Sequence, residues 1–322
     1  MNSEQKKLVK KGIKILGKLV SVLSIVFIVR AVYVLGFDFS AVDNWGVFLG
    51  VTLLCTIAKC ITVYMSGNVW YGWLSFFSGE KNKRKEAVCV YAKANIGKYL
   101  PGNVMHYVER NLFADKMGIT QKKLAISTVM EVFSLVTVSL VIAVVFSFNQ
   151  LQQALHQVLG ENYGKIILAV ILAGIAVAVA AVILFRKKLA GILKDYSAAE
   201  FVKTFLKNMV WYALVLGTLG AIMVVLYCYM GGQFTLESAK LIISGYIIAW
   251  VLGFIVPGAP GGIGVRELVI TLLLSSVVGE SLVVTLSVTH RLITIVGDFM
   301  AYLVRIFIQP EMKLTTSDKT EQ

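Results

Sequence analysis

The sequence has little charge for its length, and its polar stretches are short. Charged residues make up 15% of 322 positions and hydrophobic residues 57%, whereas a soluble domain usually carries about a quarter charged residues. The longest polar stretches are 1–12, 78–86, 186–207 and the tail after 309. This composition excludes a soluble protein and leaves no stretch long enough for a soluble catalytic domain. It predicts an all-α integral membrane protein.

Cysteine and histidine are also scarce. The four cysteines lie in apolar stretches without metal-ligand spacing, so we expect no disulfide framework. The three histidines are scattered, and His106 with Glu109, one helical turn apart, is a weak metal pair. The chain contains no Walker motif, no G-x-S-x-G sequence and no C-x-x-C pair. We therefore predict no metal, no cofactor and no enzymatic activity.

Acidic residues are outnumbered, and the basic residues are clustered. The chain has 31 Lys and Arg against 18 Asp and Glu, a net charge of +13. The basic clusters are at 6–18, 81–85, 110–123 and 186–207, whereas 38–44 and 149–164 contain no Lys or Arg. Such asymmetry is typical of loops kept in the cytoplasm beside anionic lipid. It accounts for the positive charge and excludes nucleic acid as a partner.

Six apolar stretches are long enough to cross a bilayer, which needs about 20 residues. They are roughly 15–37, 46–77, 124–148, 165–185, 208–230 and 281–308. No small-residue cleavage site follows the first, so we expect a retained helix and not a signal peptide. The second contains Lys59, and we expect its lower end to be tilted or interfacial. The lysine-rich N-terminus is expected in the cytoplasm.

Proline is rare, and three of the four prolines lie in two short breaks. The first break is LPGN at 100–103, followed by HYVER, and the second is PGAPGGIGVRE at 257–267. Pro101 and Pro260 are 159 residues apart, close to half the chain. Backbone unwinds at membrane depth only where protein or water satisfies its polar groups. Breaks at matching points of two halves therefore indicate the binding site of a transporter.

Both breaks are predicted to lie in re-entrant helical hairpins. Residues 87–121 lie between two basic clusters and carry too many charges for a lipid-facing span, so they are expected to enter and leave on the cytoplasmic side. Residues 238–279 are predicted to form the second hairpin, entering from outside, because the apolar run after the break is too short to span. A competing count makes 238–256 a full span and places the C-terminus outside.

With both hairpins, each half of the chain has the order span, span, hairpin, span. This predicts an inverted repeat with halves at about 15–148 and 165–308. The whole of 1–322 then forms one polytopic membrane domain with cytoplasmic tails at 1–14 and 309–322.

Each break leads into a new helix that carries an arginine. The free N–H groups and positive dipole end of a helix N-terminus bind anions, and glycine lets an anion approach the backbone. Arg110 and Arg266 follow the breaks within two turns, and a guanidinium suits phosphate. We predict that both hold a phosphate group inside the membrane. The alternative is that the glycines only allow tight helix packing and the arginines snorkel.

Four acidic residues accompany these arginines: Glu109, Glu131, Glu267 and Asp298. Glu131 lies in an apolar run with no basic neighbour in sequence, so it needs a partner from another helix. Asp298 shares a helical face with Arg291. Intramembrane charges are usually functional, and these carboxylates are candidates for balancing the arginines, binding a cationic headgroup or carrying a proton. Ion pairing that only holds helices together is the alternative.

Two motifs resemble those of a known family. PGAPGGIGVRE with the short apolar run after it resembles the signature of the lysylphosphatidylglycerol synthase transmembrane-region family, the flippase-like domain of the multiple peptide resistance factor. NIGKYLPGNVMHYVERNLFADKMGIT is similar to the first motif of that family, and the resemblance covers roughly 15–308.

The resemblance implies movement of lipids or lipid-linked headgroups between the leaflets of the bacterial cytoplasmic membrane, without the synthase domain that makes the lipid in two-domain members. Many relatives have a basic residue where this chain has Asn103, and acidic or amide residues where it has His106. An aminoacylated phospholipid and a lipid-linked sugar are therefore both candidate substrates. The motif positions imply that a central cavity is lined by Pro101, Gly102, Glu109, Arg110, Pro260, Gly261, Gly262, Gly264, Arg266 and Glu267.

Our leading interpretation is a lipid flippase-like protein with the membrane lipid as substrate and both termini in the cytoplasm. The alternatives are a small-solute secondary transporter, an intramembrane enzyme with Glu131 or His106 as base, and a scaffold for a glycosyltransferase. Candidate protein partners are a lipid-modifying synthase, a glycosyltransferase and a second copy of the chain. The predicted substrate-binding residues are Lys98, Pro101, Gly102, Asn103, His106, Glu109, Arg110, Glu131, Pro260, Gly261, Gly262, Gly264, Arg266, Glu267, Arg291 and Asp298.

Overall fold

The computed structural model describes residues 42–99, 105–114, 117–159, 196–255, 262 and 264–308. Within these ranges the regular structure is entirely helical. The helices are α1 (Trp45–Ser78), α2 (Arg84–Ala94), a 3₁₀ helix (Asn95–Tyr99), α3 (Met105–Ala114), α4 (Gln121–Leu159), α5 (Ala198–Tyr229), α6 (Leu236–Ile255), α7 (Val265–Val278) and α8 (Glu280–Ile308). The predicted all-α fold is confirmed.

Side chains and glycine define the ends of the long helices. Asn44 precedes α1, and its side chain accepts a hydrogen bond from the Val47 N–H at 3.2 Å. Ser197 caps α5 in the same way for the Glu200 N–H, at 3.5 Å. These caps satisfy N–H groups that have no partner inside the helix. At the other end of α1, Gly79 takes a left-handed conformation with φ of 79° and stops the helix.

Among the described residues, four helical stretches are long and apolar enough to cross a membrane, which makes the chain a multi-pass membrane protein. They are Trp45–Ser78, Gln121–Ala143, Ala198–Tyr229 and Leu236–Phe254. Large apolar side chains on their outer surfaces are exposed in the isolated chain, including Leu54, Val129 and Val210. Lipid is the solvent that accepts such a surface.

The predicted spans agree with the helices where both can be compared. The stretches 46–77, 208–230 and 281–308 correspond to α1, α5 and α8, and 124–148 lies within α4. The predicted spans 15–37 and 165–185 lie outside the described residues. α8 is 29 residues long and carries Arg291, Asp298 and Arg305, so its inner face is polar.

The helix order of one half is repeated in the other. A long helix, two shorter helices that pack on each other and a second long helix occur as α1, α2, α3 and α4, and again as α5, α6, α7 and α8. The two short pairs differ in length. α2 and α3 have 11 and 10 residues, whereas α6 has 20 and α7 has 14. At 1.5 Å per residue α6 is about 30 Å long, which is enough to cross the hydrocarbon core. The re-entrant entry of both pairs and the inverted orientation of the halves stay predictions.

Glycine allows close approach where α5 packs on α6. An added Cβ at Gly220 on α5 would lie 2.8 Å from Cγ2 of Ile243 on α6. Gly217, one turn earlier on α5, has no described atom within 4 Å of such a Cβ. Substitutions at Gly220 and Gly217 change helix propensity alike, but only a substitution at Gly220 disturbs the packing of α5 on α6.

Replacing Gly220 with valine should destabilise the protein by about 1–3 kcal/mol through overpacking. Thermal unfolding in detergent micelles, followed by tryptophan fluorescence, measures the effect. Gly217→Val is the matched control, because it adds the same β-branched side chain without a collision among the described residues. Equal stability of the two variants would contradict the close contact between α5 and α6.

Candidate functional site

A cavity of about 110 Å³ lies between the described helices, and residues beside both chain breaks contribute to its lining. We call it the central chamber. Its lining residues come from α1, α2, the 3₁₀ helix and all of the helices from α3 to α8. The polar lining residues are Lys59, Thr62, Ser66, Tyr91, Asn95, Lys98, Tyr99, His106, Tyr107, Glu131, Tyr212, Tyr246, Arg266, Arg291, Thr294 and Asp298.

Asp298 on α8 is the most heavily hydrogen-bonded group in the chamber. Its carboxylate is fully buried and contacts Lys59 Nζ at 2.6 Å and Lys98 Nζ at 2.5 Å. The Asn95 amide donates to Oδ1 at 2.8 Å, and the Tyr99 hydroxyl donates to Oδ2 at 2.6 Å. These bonds join α1, the 3₁₀ helix and α8. A buried carboxylate needs such partners, because desolvation without them is costly.

Glu131 on α4 anchors a second buried pair on another side of the chamber. Its Oε2 lies 2.5 Å from Nη2 of Arg110 on α3, and both side chains are buried. Its Oε1 accepts hydrogen bonds from the Tyr91 hydroxyl at 3.1 Å and the Tyr212 hydroxyl at 2.7 Å. Glu131 therefore has a partner from another helix, as its apolar sequence context requires. This pair connects the first break to α2, α4 and α5.

Aromatic rings surround the Arg110 guanidinium. Its Cζ lies 4.8 Å from the Trp70 ring centroid, 4.9 Å from that of Tyr91 and 5.2 Å from that of Tyr107. Cation–π contacts stabilise a desolvated arginine. Arg110 does not line the chamber, so it acts on the chamber through Glu131.

The second break forms the N-terminus of α7. Gly264 has a φ of 84°, and its N–H donates to Glu267 Oε2 at 2.7 Å, which caps the helix. The other carboxylate oxygen of Glu267 lies 4.0 Å from Nε of Arg291 on α8. Glu267 thus links the break to α8 and holds Arg291 at the chamber wall.

Arg266 passes through a narrow gap between α6 and the break. A Cβ at Gly253 would lie 2.6 Å from its Cγ, and a Cβ at Gly262 would lie 2.7 Å from its Nε. Its Cζ is 5.3 Å from the Trp250 ring centroid. Among the described residues, its buried Nε has no hydrogen-bond acceptor. Gly253 and Gly262 therefore leave room for the Arg266 side chain, which reaches the chamber and can donate a further hydrogen bond through Nε.

The chamber wall carries a formal excess of positive charge. Four lining residues are cationic, namely Lys59, Lys98, Arg266 and Arg291, and two are carboxylates, Glu131 and Asp298. A buried cationic excess is unfavourable unless an anion compensates it. The arrangement is suited to binding a phosphate or another anion.

Most of the predicted site residues that the structure describes are brought together. Six of them line the chamber: Lys98, His106, Glu131, Arg266, Arg291 and Asp298. Arg110 and Glu267 form ion pairs with residues of this wall, and Gly262 and Gly264 shape the second break. Glu109 does not line the chamber and packs on the 3₁₀ helix, with Oε2 2.6 Å from where a Gly97 Cβ would lie. Pro101, Gly102, Asn103, Pro260 and Gly261 lie outside the described residues.

Sequence reasoning missed Lys59 and the tyrosines. The role of Lys59 was missed, because Lys59 is 5% exposed, lies near the middle of α1 and pairs with Asp298, while the tilt of the lower end of this helix stays a prediction. An isolated charge in an apolar run was the available signal, and it was the same signal that identified Glu131. Tyr91, Tyr99 and Tyr212 carry no such signal, because tyrosine is common in membrane helices for other reasons.

Comparison with known proteins agrees with this architecture. The model of the family described as Lysylphosphatidylglycerol synthase TM region matches residues 89–301, which is more than half of the chain. The chain belongs to this family. The match includes both breaks and every chamber residue except those on α1, which lies before the matched residues. The protein is therefore a membrane protein with a lipid-related function. No curated protein and no solved structure matches the chain.

The buried pair predicts an asymmetric response to mutation. Glu131→Leu leaves Arg110 buried without its carboxylate and should destabilise the protein by about 3–5 kcal/mol. The double variant Arg110→Leu/Glu131→Leu removes both charges and should be more stable than Glu131→Leu alone. Thermal unfolding in detergent measures both.

Glu200→Gln is the control for that experiment. Glu200 forms an exposed ion pair with Lys203 at 3.8 Å, and losing such a pair should cost less than about 1 kcal/mol. If Glu131→Leu unfolds at the same temperature as Glu200→Gln, the buried pair does not stabilise the fold.

Proposed function

We propose that this protein is a lipid flippase that moves a phospholipid or a lipid-linked sugar between the leaflets of the bacterial cytoplasmic membrane. In this proposal the headgroup phosphate occupies the central chamber and the acyl chains stay in the bilayer. The lipid is moved without chemical change, and both termini are in the cytoplasm. Family membership supports the lipid-related role, and the chamber supports the way the lipid is held.

The observation that carries the proposal is that described residues beside both breaks line one positively charged chamber. Lys98 and His106 flank the first break, Arg266 follows the second, and all three line the same cavity. Transporters use broken helices for this purpose, since substrate sites lie where the two halves meet near the midplane. A lipid phosphate supplies the anion that the cationic wall lacks.

The size of the chamber limits what it holds in this conformation. A volume of about 110 Å³ admits several water molecules or one phosphate group, whereas pockets for drug-sized ligands span roughly 300–1,000 Å³. A larger headgroup requires the two halves to move apart. Rocking of one half against the other would open the chamber to each leaflet in turn.

A groove between α1 and α8 offers a path for the lipid tails. It has a volume of about 600 Å³ and an almost entirely apolar lining that includes Trp45, Leu49, Leu53, Leu292 and Val296. Thr56 lines this groove, and the Lys59–Asp298 pair, one turn further along α1, lines the chamber. We propose that this pair separates the groove from the chamber, and that the separation opens when the phosphate replaces Asp298 as a partner of Lys59.

The cations of the wall are assigned different roles. Arg266 and Lys98 contact the phosphate, because both side chains reach the chamber directly. Arg110 positions Glu131 and does not touch the ligand. A lipid-modifying synthase or a glycosyltransferase would supply or use the lipid, and a second copy of the chain is a further candidate partner.

Vesicle reconstitution tests the proposal. Vesicles that contain phosphatidylglycerol with a fluorescent acyl chain are treated with dithionite, which quenches only the outer leaflet. We expect the protein to expose the inner-leaflet pool, and Arg266→Gln to slow that exposure by at least roughly ten-fold, since removing a buried charge partner costs several kcal/mol. Arg84→Gln is the control, because Arg84 lies outside the chamber wall and hydrogen-bonds Asn68.

Two outcomes oppose this account. Vesicles with the parent protein that expose no more lipid than empty vesicles rule out the flippase activity. Arg266→Gln vesicles that expose lipid as fast as the parent rule out the phosphate contact of Arg266.

A further inference from the structure

We infer that the headgroup handled by this chamber carries a doubly negative phosphate, either a phosphomonoester or a diphosphate, and that an aminoacylated cationic headgroup is excluded. This inference rests on the proposed function and specifies its substrate class. It follows from the charge balance of the chamber wall.

The charge excess of the wall is the same whether only the lining residues are counted or also the residues that form ion pairs with them. Lining side chains give four cations and two carboxylates, a formal excess of two positive charges. Including the residues that pair with the wall adds one cation, Arg110, and one carboxylate, Glu267. The excess of two positive charges is unchanged.

Neither the undescribed parts of the breaks nor the two undescribed apolar stretches add a carboxylate to this count. The parts of the breaks outside the described residues, 100–104, 256–261 and 263, contain no charged residue. The apolar stretches 15–37 and 165–185 contain no Asp or Glu, and Glu109 on α3 does not line the chamber. In this proposal a molecule other than this chain supplies the compensating negative charge.

The cations are also close enough to repel one another. Arg266, Arg291 and Lys98 line the same small cavity, and the single carboxylate of Asp298 is shared by Lys59 and Lys98. Like charges that share a buried site are unfavourable at low dielectric. An anion placed between them relieves the repulsion, and a dianion relieves it completely in formal charge.

Candidate headgroups differ in the charge they bring. The phosphodiester of phosphatidylglycerol carries one negative charge and therefore compensates only one of the two excess positive charges of the wall. A lysyl ester adds two ammonium groups to that phosphodiester and increases the excess. A phosphomonoester above its second pKa, which is about 6, carries two negative charges and balances the wall. The wall therefore selects the phosphomonoester, or a diphosphate of the same charge.

The test compares three lipids that share one fluorescent acyl chain in vesicles of the full-length protein. Phosphatidic acid supplies the phosphomonoester, phosphatidylglycerol the phosphodiester and lysyl-phosphatidylglycerol the cationic headgroup. At pH 8.5 we expect phosphatidic acid to exchange at least roughly ten-fold faster than the lysyl lipid, with phosphatidylglycerol between them. At pH 5 phosphatidic acid should lose its advantage over phosphatidylglycerol, because its second proton is then bound. Empty vesicles correct each rate for spontaneous exchange.

Variants of Lys98 test whether the charge of the chamber wall causes the preference for phosphatidic acid. Lys98→Gln should bring the rate ratio of phosphatidic acid to phosphatidylglycerol close to one, and Lys98→Arg should restore it, because the charge returns. Lys203→Gln is the matched control, since Lys203 is exposed and pairs only loosely with Glu200. If Lys98→Gln leaves the rate ratio of phosphatidic acid to phosphatidylglycerol unchanged, the charge of the chamber wall does not determine the lipid preference.

Radiolabelled inorganic phosphate distinguishes a lipid headgroup from a free anion. We expect no uptake above that of empty vesicles, and uptake of phosphate without lipid exchange overturns the lipid source. If the lysyl lipid exchanges as fast as phosphatidic acid, the inferred headgroup charge is wrong while the flippase proposal stands. If none of the three lipids exchanges, the proposed function itself fails.

Discussion

The buried carboxylate of Asp298 is the constraint around which the described structure is arranged. A charge at membrane depth is stable only with partners, and Asp298 takes them from α1 and from the 3₁₀ helix before the first break. Lys59 and Asp298 are 239 residues apart in sequence, so this contact closes the first half of the chain onto the second. The same carboxylate fixes Lys98 and Tyr99, the described residues that directly precede the first break.

A second buried ion pair, Arg110–Glu131, holds the chain on the other side of the first break. Arg110 follows the first break and meets Glu131 on α4, with hydroxyls from α2 and α5 filling the remaining acceptor sites. The two pairs hold both sides of the first break, while Glu267 holds the second break by capping α7 and facing Arg291. Breaks that would be unstable in lipid are thus fixed by ionic contacts, and the remaining cations face one chamber.

Sequence patterns predicted the helical class, four of the long helices and most of the charged residues that line the chamber, because these depend on local composition. Glu131 and Asp298 were identifiable since a carboxylate in an apolar run is costly wherever it lies. Lys59 carried the same signal, a charge in an apolar run, although its partner Asp298 on α8 was not identifiable from the neighbouring sequence. The tyrosines that donate to Glu131 and Asp298 were missed because tyrosine is common in membrane helices for other reasons. The length of α6 shows that the two helix pairs differ, a difference that the competing count with 238–256 as a full span allowed.

The central claim is that a lipid phosphate compensates the cationic chamber between the two breaks. Electron cryomicroscopy of the protein in nanodiscs that contain phosphatidic acid tests it most directly. The account predicts phosphate density within hydrogen-bonding distance of Arg266 and Lys98, with acyl-chain density in the groove between α1 and α8. A chamber that contains only water, with every ordered headgroup at the membrane surface, would contradict it.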